Sequence, residues 1–285
     1  MIRLAVRVER AHAEEALVEL LAFSPTGLEE VEVDADTIEY VIYGAADELP
    51  SLPALEASVG DCLVTVRSSE IADDWSERWR EFHRPIAIAQ RLYVRPPWHP
   101  AAAAAAELTD VVIDPGQAFG TGAHATSRLC LELLVTIARE GAASGTLLDI
   151  GCGSGILAIA AAKLGFAPVI ALDNDPACVE ASAANATANR VSIDVRAWDL
   201  RRDGLPAART IVANLLLAPL LLLAERLDHR PERLIASGLL AGQADEFERE
   251  LELRHQLHRA ASLRDGDWLA MLFVGAAPRV SSDEA

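Results

Sequence analysis

A glycine-rich turn between two apolar segments constrains this chain more than any other feature. The apolar run 147–150 ends at Gly151, and two more glycines, Gly153 and Gly155, precede the helix-forming run 156–164. Glycines let a ligand approach the bare backbone, and the start of a helix supplies free N–H groups. The pattern predicts a ligand site where a strand meets a helix, although a plain tight connection is the alternative for the glycines alone.

A carboxylate ends the next apolar run. Asp173 follows residues 169–172 and lies 22 residues after Gly151, close to where an acidic side chain binds the ribose in nucleotide-binding folds. The glycine spacing is GxGxG, not the GxGxxG of dinucleotide-binding proteins. A nucleotide or nucleoside ligand without a pyrophosphate therefore fits this turn better than a dinucleotide.

Strand and helix patterns alternate after residue 111, which predicts a parallel sheet covered on both faces. We expect strands at 146–150, 169–173, 192–196, 210–215 and 233–238, and helices at 125–139, 155–164, 176–188, 217–227 and 242–254. Two strands near 255–262 and 268–274 are separated by a short turn, so they predict a terminal antiparallel hairpin. This ending, with the glycine turn and Asp173, favours a methyltransferase that uses S-adenosylmethionine over a dehydrogenase.

The first 69 residues predict a separate small α+β domain. Residues 2–8 alternate in polarity as a strand does, and residues 28–33 and 37–43 do so again and suggest a hairpin. Residues 12–22 and 51–59 suggest two helices, and residues 62–66 suggest a last strand. The order β-α-β-β-α-β is that of a ferredoxin-like domain. Residues 70–84 predict a linker helix with Trp75 and Trp79 on one face, and residues 276–285 predict a disordered tail.

The composition narrows the class of protein further. The net charge is −18 over 285 residues, which disfavours a nucleic acid held in a basic groove and favours a basic protein partner. The four cysteines show neither a CxxC pair nor metal-ligand spacing, so we expect reduced thiols and no metal. A signal peptide and a membrane-spanning segment are not evident, which predicts a cytoplasmic protein.

Two further segments carry polar groups suited to a ligand. The glycine-rich segment 114–124 leads into the helix at 125–139, where the hydroxyls of Thr126 and Ser127 could cap the helix or bind a methionine moiety. Asn214 ends a predicted strand at the carboxyl edge of the sheet, where such folds bind ligands. A strand-end cap is the alternative for Asn214, and His124 is assigned no role.

The chain resembles the PrmA family of methyltransferases, which modify the large-subunit ribosomal protein L-eleven (L11). The resemblance rests on DPGQAFGTGAHAT at 114–126, LLDIGCGSGILAIAAAKLG at 147–165, LDNDP at 172–176, VANLL at 212–216 and SGLL at 237–240. It covers roughly residues 70–274. The family usually has a proline and two threonines after the histidine, where this chain has Ala125, Thr126 and Ser127.

The resemblance implies a Rossmann-like class I methyltransferase sheet at 85–275, with residues 1–69 as the substrate-recognition domain. It implies S-adenosylmethionine as cofactor and amino groups of L11, on lysine side chains or the N-terminal amine, as acceptors. Carried over by residue, it implies cofactor contacts from the following positions: Ser127 at the methionine end, Gly151, Asp173 at the ribose, Asn214 near the reacting methyl group, and Thr126, Thr121 and Phe119 as secondary contacts.

The residues after Asn214 bear on the acceptor. Leu215, Leu216 and Leu217 follow, where enzymes that methylate amides or bases carry Pro-Pro and an aromatic residue. The missing aromatic side chain favours a flexible aliphatic amine over a flat base. We expect direct transfer governed by proximity, with no general base assigned.

Other functions remain open on the sequence alone. A related methyltransferase that acts on another protein lysine or on a small amine is the nearest alternative. A noncatalytic binding protein with the same fold is disfavoured by the intact glycine turn, Asp173 and Asn214. A nicotinamide-dependent oxidoreductase is disfavoured by the glycine spacing and the terminal hairpin.

Overall fold

The computed structural model describes residues 2–13, 16–17, 20, 29–44, 49–59, 62–70, 83–101, 107–115, 120 and 122–275. The chain divides into two compact units between Arg84 and Pro85. Residues 71–82 of the predicted linker helix and the whole predicted tail lie outside the described residues. In the part of the chain that is described, no helix is both long and apolar enough to cross a membrane.

The N-terminal unit contains a five-stranded antiparallel sheet. Its strands are β1 Ile2–Glu9, β2 Glu29–Glu32, β3 Thr37–Gly44, β4 Leu55–Val59 and β5 Cys62–Glu70. They lie in the order β2-β3-β1-β5-β4. The apolar residues of β1 and β3 bury one face of this sheet, and Tyr40 Oη donates to Ala13 O at 3.0 Å, within a segment whose described residues are helical.

The prediction of a second helix at residues 51–59 was wrong. Residues 55–59 form β4, which pairs antiparallel with β5 from Leu55–Val66 to Val59–Cys62. Leu55, Glu56 and Ser58 are exposed, so the segment has no apolar stripe that would bury a helix against the sheet. Pairing with β5 satisfies its backbone groups without such a stripe.

The C-terminal unit is built on a seven-stranded mixed sheet. Its strands are β9 Leu147–Ile150, β10 Val169–Asp173, β11 Asp194–Ala197, β12 Thr210–Asn214, β13 Arg233–Leu240, β14 Leu257–Asp265 and β15 Trp268–Gly275. They lie in the order β11-β10-β9-β12-β13-β15-β14. Strands β9 to β13 are parallel, and β15 runs antiparallel to both of its neighbours.

Helices cover both faces of this sheet. They are α1 Ala125–Arg139, α2 Ile156–Leu164, α3 Pro176–Ala188, α4 Leu217–Arg226 and α5 Ala244–His255. Successive side chains along a strand point to opposite faces of the sheet, so they pack in different cores. Leu147 packs with α1 and α2, whereas Leu148 packs with α4 and α5.

A small three-stranded sheet precedes α1. Its strands are β6 Ile86–Ile88, β7 Leu92–Arg95 and β8 Thr109–Val112, with β7 in the middle. Val111 and Ile113 are buried in the core formed with α1 and α2. The chain at the end of β8 therefore packs against α1 and α2.

The carboxyl ends of the parallel strands meet at one edge of the large sheet. The order in which the strands are added reverses between β9 and β12, because β10 and β11 lie on one side of β9 whereas β12 and β13 lie on the other. Such a switch point leaves a crevice outside the strand ends, where open α/β sheets bind their ligands. This edge holds Gly151, Asp173 and Asn214.

Candidate functional site

The glycine turn, residues 151–155, joins β9 to α2 at the edge of the sheet. Gly151 N and Cys152 N donate to Leu172 O at 2.8 and 3.1 Å, which ties the turn to β10. All three glycines have positive φ. A Cβ atom at Gly151 would overlap Cδ2 of Leu215, the residue that follows β12. The positive φ therefore favours glycine at position 151, and the absence of a Cβ atom leaves space for the Leu215 side chain.

The carboxylate of Asp173 is fixed by two backbone N–H groups. Gly153 N donates to Oδ2 at 2.9 Å, and Asp175 N donates to Oδ1 at 3.0 Å. Asp173 is 8% exposed. A carboxylate has about four acceptor positions on its two oxygens, so both oxygens can accept further hydrogen bonds from a ligand without releasing the backbone.

A cavity of about 260 Å³ opens beside this carboxylate. The carboxyl ends of β9 and β10, the segment after β11, and the start of α4 form its wall. The lining residues are Ile150, Gly151, Leu172, Asp173, Asn174, Trp198, Asp199, Leu200, Arg201, Leu215, Ala218, Pro219 and Leu222. Its wall is largely apolar, with polar groups concentrated near Asp173 and Asp199, as is typical of small-molecule sites.

The part of the cavity wall that follows β11 was not among the predicted site residues. Trp198 N donates to Asp173 O at 2.8 Å, and Trp198 Nε1 donates to Gly204 O at 3.0 Å, so the indole is held beside the cavity. Asp199 comes next in the chain. The signal was available, because residues 192–196 were predicted as a strand parallel to the strand that ends at Asp173, and the residues after such a strand lie at the same edge.

Asn214 and Ser127 lie together at the end of β12. Asn214 Nδ2 donates to Ser127 Oγ at 3.4 Å, although the two residues are 87 positions apart. Ser127 is buried in the first turn of α1, whereas Asn214 is half-buried. None of the hydrogen bonds between described residues uses Asn214 Oδ1. The structure therefore brings two predicted site residues together and leaves the amide oxygen as an acceptor.

The start of α1 is capped by His124, not by the hydroxyls of Thr126 or Ser127. His124 Nδ1 accepts from Thr126 N at 3.4 Å and lies 2.8 Å from Thr126 Oγ1. Burial, assisted by the charge of Arg128 and opposed by that of Asp265, lowers the pKa of His124 to about 4. The imidazole is therefore neutral near pH 7 and can accept this bond.

The remaining predicted residues are less closely tied to the cavity. Thr126 is buried and its hydroxyl contacts His124, so it shapes the start of the helix. Phe119 and Thr121 lie outside the described residues. Within the residues that are described, no group of three or more His, Cys, Asp and Glu side chains is placed to hold a metal ion.

Leu215 is fixed between the glycine turn and a bulge in β13. Its side chain lies against Gly151, and Leu215 N donates to Ser237 O at 3.0 Å. The register of β13 shifts between Ser237 and Leu239, at Gly238, which has φ +87°. A Cβ atom at Gly238 would overlap the carbonyl oxygen of Leu215. The bulge therefore makes room for the backbone that carries Asn214.

A second acid, Asp149, lies beneath the site without reaching it. Asp149 Oδ2 accepts from Ala158 N at 3.0 Å, and Oδ1 has no hydrogen-bond partner among the described residues. Burial raises the pKa of Asp149 to about 7, opposed by the bond from Ala158 and assisted by the charge of Asp173. Asp149 holds the first turn of α2 in place and is inaccessible to a ligand.

Comparison with known proteins gives one consistent result. The family model described as ribosomal protein L11 methyltransferase (PrmA) matches residues 8–275. The ribosomal protein L11 methyltransferase of Xanthomonas euvesicatoria is 36% identical over an alignment of 245 positions, and the match covers 83% of this chain and 79% of that protein. The Pseudomonas paraeruginosa protein of the same name is 37% identical over an alignment of 288 positions, and that match covers 94% of this chain and 95% of that protein.

A solved structure agrees with these sequence matches. The crystal structure of a ribosomal protein L11 methylase from Lactobacillus delbrueckii subsp. bulgaricus superimposes with a TM-score of 0.61 and 30% sequence identity. The match covers 68% of this chain and 99% of that chain.

Replacing Gly238 by alanine should destabilise the protein. We expect the free energy of unfolding to fall by about 2 kcal/mol or more, from the left-handed backbone and the overlap with Leu215 O. Gly242→Ala is the matched control, because a Cβ atom there meets nothing within 4 Å. Denaturant unfolding of both variants checks this, and equal stability of the two would show that the bulge is not required.

The pKa of Asp149 predicts a pH-dependent gap between the wild type and Asp149→Asn. The folded carboxyl group has a pKa of about 7 and keeps its proton up to that pH, whereas an exposed aspartate has a pKa of 3.8. Its contribution to stability is therefore lost as pH rises through this window. The asparagine variant lacks that loss, so it should gain about 2 kcal/mol relative to the wild type between pH 5 and pH 8. A gap that does not change with pH in thermal unfolding would contradict the raised pKa.

Proposed function

Because the chain belongs to the family of ribosomal protein L11 methyltransferases, we propose that it methylates amino groups of L11 from S-adenosylmethionine. The acceptors are lysine side chains or the N-terminal amine. The observation that carries the proposal is the oriented carboxylate of Asp173 in the wall of the cavity, next to the glycine turn.

The cavity suits the nucleoside part of the cofactor. A ribose presents two neighbouring hydroxyl groups, and Asp173 offers two oxygens whose orientation is set by backbone N–H groups. The apolar side chains of Ile150, Leu172 and Leu222 and the indole of Trp198 provide surfaces for a flat base. No pyrophosphate needs to be held, which is consistent with the GxGxG spacing.

The other predicted residues are assigned to the remaining parts of the cofactor. Gly151 lets the ligand approach the backbone at the end of β9. Ser127, at the start of α1, is assigned to the methionine end, and Asn214 to the region of transfer. Thr126 supports Ser127 through the helix cap. Phe119 and Thr121 stay predictions as secondary contacts.

The chain's own residues need only bind, orient and desolvate the acceptor. S-adenosylmethionine supplies a methyl group that is already activated by its sulfonium. Asn214 holds its amide by donating to Ser127 Oγ, so Oδ1 can accept a hydrogen bond from the incoming amine. A less polar pocket lowers the pKa of a lysine and favours the neutral amine that can attack. Asn214 cannot remove the proton, and we assign no general base.

The N-terminal unit is proposed to recognise the protein substrate. Residues 1–69 carry 14 acidic side chains and 4 arginines, a net charge of −10. A ribosomal protein uses cationic side chains to bind RNA, so this charge attracts it. The same charge and the total of −18 disfavour direct binding of nucleic acid to the enzyme. We propose that the enzyme acts in the cytoplasm.

Loss of one acceptor on Asp173 should weaken cofactor binding. Asp173→Asn should raise the Kd for S-adenosylmethionine about tenfold or more, because a charge-assisted hydrogen bond to the ribose is lost. Asp175→Asn is the matched control. It removes one charge nearby, and asparagine still caps α3. Isothermal titration calorimetry measures both variants, and an equal Kd for the two would exclude the ribose role of Asp173.

Methyl transfer should be selective for L11 and should depend on Asn214. Incubation with labelled S-adenosylmethionine and a lysate from cells lacking this activity should label L11, and transfer should weaken as salt rises.

The variant Asn214→Ala should lower kcat by about tenfold or more, because it loses a contact that orients the acceptor. Label in a different protein or in small amines would favour the related methyltransferase over an L11-specific one, and an unchanged kcat would remove Asn214 from the mechanism.

A further inference from the structure

Two buried asparagines at the C-terminal end of α3, Asn185 in its last turn and Asn189 at its C-cap, hold the chain at the end of β8. Asn189 Oδ1 accepts from Val112 N at 2.9 Å, and its Nδ2 donates to Val112 O. Asn185, one helical turn earlier, accepts from Asp114 N at 2.9 Å and donates to Asp114 O at 3.3 Å. The two carboxamides thus pair with alternate residues of an extended backbone, as a neighbouring strand would.

Asn185 makes one contact that Asn189 does not. Its Nδ2 also donates to Ser154 O at 2.9 Å, within the glycine turn. Asn189 instead donates its remaining hydrogen bond to Asn185 O, within α3. Asn185 is 3% exposed and Asn189 is 7% exposed. Of these two asparagines, Asn185 is therefore the one that links Asp114, after β8, to the turn at the end of β9.

Ser154 of the glycine turn also contacts Gly120, six residues after Asp114. Ser154 Oγ donates to Gly120 O, and Ser154 is fully buried. The segment that starts at Asp114 and the one that starts at Gly120 are thereby fixed to a single residue, Ser154. The carbonyl oxygen of Ser154 accepts from Asn185 Nδ2, and its hydroxyl donates to the carbonyl oxygen of Gly120.

Asparagine is the side chain that this geometry requires. One carboxamide both accepts and donates, which matches the N–H and C=O of Asp114 together with the C=O of Ser154. An aspartate could accept from Asp114 N but would place a charge against two carbonyl oxygens. An alanine would remove all three of these hydrogen bonds, which lowers stability and releases the backbone of Asp114 from Ser154.

We propose that Asn185 is a positioning residue for the cofactor site, acting through Ser154 and Asp114 without touching the cofactor. The inference rests on the proposed function, because that proposal assigns the glycine turn to the cofactor. Asn185 sets the distance between the glycine turn at Ser154 and the backbone of Asp114. Asn189 contacts the end of β8 and the backbone of Asn185 but not the glycine turn, so we expect its loss to affect stability more than the shape of the site.

The test compares Asn185→Ala with Asn189→Ala in the full chain. Both variants should lower the melting temperature, because each loses buried hydrogen bonds. Asn185→Ala should raise the Kd for S-adenosylhomocysteine about tenfold, whereas Asn189→Ala should leave it within about twofold. Titration calorimetry at a temperature where both variants are folded separates binding from stability.

The outcomes distinguish this inference from the proposed function. A Kd for Asn185→Ala within twofold of the wild type, or an equal rise in both variants, would overturn the positioning role. If Asn185→Ala does not fold, Asn185→Ser gives the same comparison, since its hydroxyl is too short to span Asp114 and Ser154. A wild-type protein that does not bind the nucleoside at all would instead overturn the proposed function.

Discussion

The carboxylate of Asp173 is the group on which the arrangement of the site depends. A buried carboxylate is costly unless hydrogen bonds satisfy it, and the donors here come from two different loops. Gly153 belongs to the turn after β9, and Asp175 to the cap of α3. One side chain therefore joins the start of α2 to the start of α3 and, in doing so, presents its remaining lone pairs to the cavity.

The rest of the site is held by buried polar contacts of the same kind. Asn185 fixes Ser154 and Asp114, and Asn214 contacts Ser127 across the end of β12. Gly238 gives the backbone of Leu215 the space it needs beside the glycine turn. Such networks tolerate little change in geometry, because a buried polar group without a partner costs more free energy of folding than a satisfied one contributes. They explain how a rim made of loops can hold a fixed geometry.

The sequence predicted most of the C-terminal unit because its elements have strong local signals. The helices at 125–139 and 176–188 and the strand at 169–173 have the predicted limits. The wrong helix at 51–59 shows the limit of such signals, since a short and mostly exposed segment carries no decisive period. Its pairing with β5 depends on a neighbouring strand, which the local pattern does not reveal.

The site was predictable in part for a related reason. Gly151 and Asp173 carry their own local motif, and both line the cavity. Trp198 and Asp199 belong to the same edge but follow a strand of weaker apolar character, so no motif marked them. The role of His124 as a cap depends on the geometry of the helix start, which the sequence alone does not fix. The role of Asn185 as a link depends on partners that are distant in sequence.

A crystal structure with S-adenosylhomocysteine bound tests the central claim most directly. The account predicts the ribose hydroxyls within hydrogen-bond distance of both oxygens of Asp173, with the base in the cavity beside Trp198. It also predicts the sulfur on the side of Asn214. A nucleoside bound elsewhere, or a ribose that leaves Asp173 without contact, would contradict it.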